Sequence, residues 1–102
     1  MKNILLICIM LLGISVSVYG QENIVVTGVV TDSNKEPLIG VNVVVADMPG
    51  LGAITDINGK FLIKMSPYHQ LVFTYIGYET VKVLVKEQRT VNVEMKEADA
   101  QL

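Results

Sequence analysis

Two hydropathy regimes divide the chain. Residues Ile4 to Val18 are apolar apart from Gly13, Ser15 and Ser17, and they show no period. From Gln21 onward, apolar and polar residues alternate with period two. That spacing sets alternate side chains on one face of an extended strand. Six such runs are predicted as strands. The first is Ile24 to Thr31, rich in Val and Thr. The second is Val41 to Ala46, with Val41, Val43 and Val45 on one face. In the third, Lys60 to Met65, the residues Phe61, Ile63 and Met65 point inward. The fourth, Leu71 to Ile76, is apolar on both faces except at Thr74, as expected for a central strand. Thr80 to Val85 sets Val81, Val83 and Val85 against Thr80 and Lys82, with Lys86 following. Thr90 to Met95 sets Val91, Val93 and Met95 against Asn92 and Glu94, with Lys96 following. A short strand near Ala53 to Thr55 is a candidate seventh.

Polar turn segments punctuate these runs. They are Asp32 to Pro37, Asp47 to Gly50, Asp56 to Gly59, Ser66 to Gln70 and Lys86 to Arg89. Asn58-Gly59 is a dipeptide that readily takes positive φ in a tight hairpin. No stretch after residue 20 carries three-four helical spacing over ten residues. Short strands at this spacing, rich in β-branched residues, predict an all-β sandwich or small barrel. Glu97 to Leu102 is polar and lacks alternation, which reads as a tail or the start of a linker.

The apolar start has its own logic. Lys2 supplies a positive end, the apolar stretch follows, and Val18 and Gly20 stand at −3 and −1 of a cut before Gln21. That is the layout of a secretory signal peptide over residues 1–20. The run is shorter than the roughly 20 apolar residues that span a bilayer. Cys8, the only cysteine, lies inside it and leaves with it. Ile7 before that cysteine argues against a lipoprotein. The 82 residues from Gln21 onward then hold no disulfide, thiolate nucleophile or cysteine metal site. Loss of Lys2 takes the eight Lys and Arg to seven against ten Asp and Glu, a net charge of −3. The charges are interspersed without a basic patch, so nothing supports nucleic-acid binding. A domain this small buries about 60–65% of its unfolded surface and leaves little room for a deep pocket.

Candidate chemistry is sparse. His69 is the only histidine and reads as a loop residue, because a general base needs partners within hydrogen-bond reach. No nucleophile triad or metal cluster follows from spacing, so no catalytic, metal or cofactor residue is assigned. Asp56, Asn58 and Gly59 resemble the start of a calcium loop, but position 12 counted from Asp56 is Pro67, where that loop needs glutamate. Tyr75-Ile76-Gly77-Tyr78-Glu79 is the sharpest local feature. Tyr75 and Tyr78, with Tyr68 beside Pro67, form a candidate interaction surface, since aromatics carry much interface energy. Their structural reading is a Gly77 bend with phenols capping the core edge.

Four segments carry a family resemblance. Val26-Thr27-Gly28-Val29-Val30-Thr31-Asp32 resembles the opening strand of carboxypeptidase regulatory-like domains. Pro37-Leu38-Ile39-Gly40-Val41-Asn42-Val43 is similar to their second strand. Thr55-Asp56-Ile57-Asn58-Gly59-Lys60-Phe61 resembles their turn and following strand. Leu71 to Tyr78 resembles their signature ending in Tyr-Ile-Gly-Tyr. The resemblance covers Ile24 to Glu97. It implies a seven-stranded, transthyretin-like Greek-key sandwich over 21–97, with 98–102 as tail or linker. Behind a signal peptide, it most resembles the N-terminal extension of SusC-like TonB-dependent outer-membrane transporters of Bacteroidota. In those the domain sits in the periplasm, followed by a TonB box, a plug and a barrel, and a surface lipoprotein assists import of glycans or peptides. This sequence ends at Gln101-Leu102, where the TonB box would begin, so transport by these residues alone is not expected. The resemblance thus implies a non-catalytic periplasmic accessory domain with protein partners in the cell envelope, no cofactor and no membrane span after cleavage. The alternative is a freestanding structural or carbohydrate- or protein-binding module.

Overall fold

The computed structural model describes residues 22–48 and 50–99. The expected signal peptide, with Cys8, lies outside the described residues, as do positions 100–102 of the expected tail. Seven strands follow in order: β1 (Ile24–Thr31), β2 (Asn42–Val45), β3 (Gly52–Ile54), β4 (Lys60–Met65), β5 (His69–Thr74), β6 (Val81–Val85) and β7 (Val93–Glu94). They form two sheets, ordered β4-β1-β7 and β3-β2-β5-β6. Only β2–β3 and β5–β6 are consecutive strands paired in one sheet; the other connections cross between the layers. The fold is therefore an all-β sandwich, as the alternation predicts.

Period two decides which residues fill it. In β4 the strict alternation buries Phe61, Ile63 and Met65 and exposes Lys60, Leu62 and Lys64. Val26 and Val30 from β1, with Val91, Val93 and Met95, complete that layer's inner face. Val43 and Val45 from β2, Leu71 and Phe73 from β5, and Val85 from β6 face them. The layers meet at Phe61 and Phe73, edge to face with ring centroids 5.5 Å apart. Such a pair adds about 0.5–1.5 kcal/mol beyond its area burial. β5 lies between β2 and β6, the central position expected from its two apolar faces.

β2, β3 and β6 differ from the sequence reading by one residue at their ends, and β5 and β7 differ by more. β5 stops at Thr74 because Tyr75 to Tyr78 closes a turn: the Tyr78 N–H donates to the Tyr75 carbonyl at 3.1 Å, and Gly77 takes φ +85°. β5 also begins two residues early, so His69 is a strand residue opposite Val85 rather than a loop residue. β7 shrinks to two residues although Val91, Val93 and Met95 all point inward. There the Val29 N–H donates to Asn92 Oδ1 at 3.0 Å, so a side chain takes a donor that a backbone ladder would use.

The Asn58-Gly59 turn forms with positive φ at Gly59 alone. Asp56 Oδ1 accepts the N–H groups of Asn58 and Lys60, both at 2.9 Å, and the Gly59 N–H donates to the Asp56 carbonyl. It is a three-residue reversal with one left-handed residue, not a two-residue turn needing two. Asp32 to Glu36 repeats it: Asp32 Oδ1 accepts from Asn34 and Glu36, and Lys35 takes φ +68°. Beyond the Asp56 turn the chain departs into different sheets, β3 into one and β4 into the other.

Candidate functional site

The tyrosine turn sits where β5 ends. Tyr75 and Tyr78 are both half-buried, with ring centroids 5.4 Å apart and planes tilted by 45°. Both pack against the core cluster, so the rings close its edge. Ile76 between them is almost wholly exposed. Tyr68 stands elsewhere. It precedes His69 while Tyr75 follows Thr74, so β5 separates them by its full length. The structure brings Tyr75 and Tyr78 together and does not bring Tyr68 to them.

The turn's main partner is the end of the chain. Tyr78 and Glu97 form an isolated antiparallel bridge. The Glu79 N–H donates to the Lys96 carbonyl at 2.8 Å, and the Ala98 N–H donates to the Gly77 carbonyl at 2.8 Å. Residues 96–98 thus run from the β7 side to the turn before β6 and lace one end of that lateral seam of the sandwich. Polarity and missing alternation carry no sign of this, because the contact is made by main-chain groups. A small cavity of about 120 Å³ beside it is lined by Asp32, Ser33, Asn34, Tyr78 and Glu97. Burial raises the Tyr78 phenol above its ordinary range, and the Glu97 and Asp32 carboxylates add to the effect.

At the opposite end of β5, Tyr68 holds a backbone conformation that bulky residues rarely adopt, with φ +69°. Two hydrogen bonds fix it: its N–H donates to the Val85 carbonyl at 2.7 Å, and its hydroxyl donates to Glu87 Oε2 at 2.9 Å. That bond, reinforced by the carboxylate's charge, raises the Tyr68 phenol above its ordinary range. The ring walls an open groove of about 540 Å³ with Glu22, Ile24, Pro67, Glu87 and Arg89. Sequence reasoning missed Glu87 as the anchor, nineteen residues away across the β5–β6 hairpin.

The acidic turn residues are occupied by backbone. Asp56 spends Oδ1 on its own loop, which is the turn reading of Asp56-Asn58-Gly59 and not a calcium loop. Among the described residues no three of His, Cys, Asp or Glu gather as metal ligands. No described helix is long and apolar enough to cross a membrane.

With this geometry in hand, comparison with known proteins is decisive for the family. Residues 26–102 match the model of the CarboxypepD_reg-like domain. The chain belongs to that family. The SusC TonB-dependent receptor of Bacteroides thetaiotaomicron is 35% identical over 91 residues, which is 89% of this chain and 9% of the receptor. The TonB-dependent receptor P39 of Formosa agariphila is 33% identical over 72 residues, 70% of this chain and 7% of the receptor. The chain therefore spans less than a tenth of either curated relative. Among solved structures, 3-chlorocatechol 1,2-dioxygenase from Rhodococcus opacus 1CP superposes with a TM-score of 0.50, at 14% identity, over 78% of this chain and 62% of that one. That likeness concerns the fold alone. Within the family, the residues shared by resemblance have structural duties here: Gly28 admits a close backbone approach, Thr55 bonds two backbone groups, Gly59 turns, and Phe61 fills the core.

Proposed function

We propose that this chain is a non-catalytic accessory domain of a SusC-like TonB-dependent receptor, acting at the periplasmic face of the outer membrane after removal of residues 1–20. The observation that carries the reading is the 35% identity to a SusC receptor across 89% of the chain. Its partners are proteins of the cell envelope, the receptor or its surface lipoprotein. Non-catalysis is supported by how the polar side chains are used: Asp32, Asp56 and Thr55 all serve backbone groups of their own or neighbouring turns.

The test is to express the whole chain with a C-terminal tag in a Bacteroidota host, fractionate the envelope, and measure the mass of the recovered protein. The expected result is a chain beginning at Gln21 in the periplasmic or outer-membrane fraction, cross-linking to an outer-membrane receptor. An uncut chain in the cytoplasm would refute the reading.

A further inference from the structure

The two lateral seams of the sandwich are treated differently. The β6/β7 seam is laced at one end by residues 96–98, which bond the β5–β6 turn at Gly77 and Glu79. The other seam runs between β3 and β4, the edge strands of their respective sheets. The Asp56–Lys60 turn joins these strands at one end. An edge strand presents unpaired N–H and C=O groups, and proteins blunt such edges with charge, especially lysine. β4 carries Lys60 and Lys64, and β6 carries Lys82 with Lys86 just beyond. β3 reads Gly52-Ala53-Ile54, with no charge.

The register tells which of its backbone groups are free to pair. The Thr55 N–H donates to the Val41 carbonyl and the Val45 N–H donates to the Leu51 carbonyl. Hydrogen-bonded pairs alternate along an antiparallel ladder. Val43 and Ala53, which lie between those two contacts, are therefore the next bonded pair. It follows that the N–H and C=O of Gly52 and of Ile54 point away from β2, toward the open edge. Around them stand apolar side chains left in water: Ile54 is 66% exposed, Leu62 58% and Val44 42%.

We propose that β3 pairs with β3 of a second copy of this chain, antiparallel about a two-fold axis at Ala53. Three features select a second copy as the occupant. In that register Ile54 lies opposite Gly52 of the second copy, and Gly52 opposite its Ile54. Each branched side chain then covers a residue that has none, so the edge is its own complement. The free N–H and C=O groups of both strands fall on the two bonded pairs of the new ladder. Self-pairing also sets like charges face to face, which opposes it along β4 and β6 through their lysines but not along uncharged β3. The four-stranded sheet would continue across the axis. A three-residue contact lies at the small end of interface sizes, so the pairing is dynamic and concentration-dependent.

Sedimentation equilibrium of the whole chain, from about 10 μM to about 1 mM, tests this in the range where so short a contact associates. The expected result is a reversible monomer–dimer equilibrium, with amide exchange at Gly52 and Ile54 slowing as concentration rises and exchange along β6 unchanged. Ile54→Lys, at an exposed position, should keep the parent's circular dichroism and weaken association at least tenfold. Lys82→Glu on the β6 edge should leave association unaltered. A monomer throughout the range, a dimer without slowed exchange at Gly52 and Ile54, or a dimer unaffected by folded Ile54→Lys would each overturn the proposal.

Discussion

Adding one methyl group at Gly28 should remove a large share of the domain's stability. A Cβ built there falls 1.7 Å from the Val91 carbonyl oxygen, 2.6 Å from its carbon and 2.9 Å from Phe61 Cε1. Two of those atoms are backbone and cannot swing aside like a side chain. Ordinary contact begins near 3.4 Å, so the Val91 strand must retreat by more than an ångström. That segment is tied to β1 by the Thr27 N–H to the Arg89 carbonyl and the Val91 N–H to the Thr27 carbonyl, both 2.9 Å. Losing both hydrogen bonds costs about 2 kcal/mol. Partly uncovering Val91, now 6% exposed, adds about 1–2 kcal/mol. The sum, about 3–4 kcal/mol, is between about a third and nearly all of the stability of a domain this size, about 4–12 kcal/mol. At about 4–8 °C per kcal/mol, Gly28→Ala should lower Tm by at least about 12 °C in a circular dichroism melt. Gly50→Ala is the control: nothing lies within 4 Å of its Cβ, and only its φ of +91° is strained, at about 1 kcal/mol. A Gly28→Ala melt within about 3 °C of the parent would refute the close-approach account.

Three further outcomes follow from the same geometry. Thr55 is 3% exposed; its hydroxyl donates to the Leu38 carbonyl at 2.6 Å and accepts the Val41 N–H at 2.9 Å, so Thr55→Val should cost about 2–3 kcal/mol in urea unfolding and Thr55→Ser should restore most of it. Gly59→Ala meets the Val30 carbonyl oxygen at 2.6 Å with φ +74°, and should lose about 2–3 kcal/mol by the same assay, whereas Lys35 already holds the matching left-handed position of the Asp32 turn, so Lys35→Gly should change stability by less than about 1 kcal/mol. The phenols of Tyr68 and Tyr78 are both raised in the folded state, so the stability they contribute is fully present below the unfolded pKa of about 10 and is lost as pH rises through the higher folded values. Tm should therefore fall above about pH 10, and the fall should be shallower in a Tyr68→Phe/Tyr78→Phe variant.

The alternation of the sequence made the sandwich legible because burial in a strand follows period two with little ambiguity. Phe61, Ile63 and Met65, and likewise Val91, Val93 and Met95, turn inward as their spacing dictates. Main-chain partners leave no such trace. Asn92 looks like any outward polar residue, yet its side chain ends the β7 ladder by taking the Val29 N–H. Glu97 and Ala98 look like a loose tail, yet main-chain bonds fix them to the tyrosine turn. Gly28 reads as a weak point in a strand, and its reason lies sixty-three residues away at Val91. The tyrosines show the same limit from the other side. Tyr75 and Tyr78 meet because they flank one turn, while Tyr68, close in sequence, is carried off by the length of β5.

The laced seam also decides how this domain answers to mechanical load. Any drag on the chain beyond Asp99 reaches the antiparallel contact at Gly77 and Glu79 first. A pull directed away from the tyrosine turn loads its bonds one after another, like a zip. Behind them, β7 lies parallel to β1, with Thr31 holding the Met95 N–H, Thr27 the Val91 N–H, and Val29 the Asn92 side chain. A pull drawn along those strands loads these bonds together, in shear. The domain therefore contains a weak link in front of a strong one. Under a pull directed away from the tyrosine turn, residues 96–98 are expected to come free before the β1–β7 contacts do.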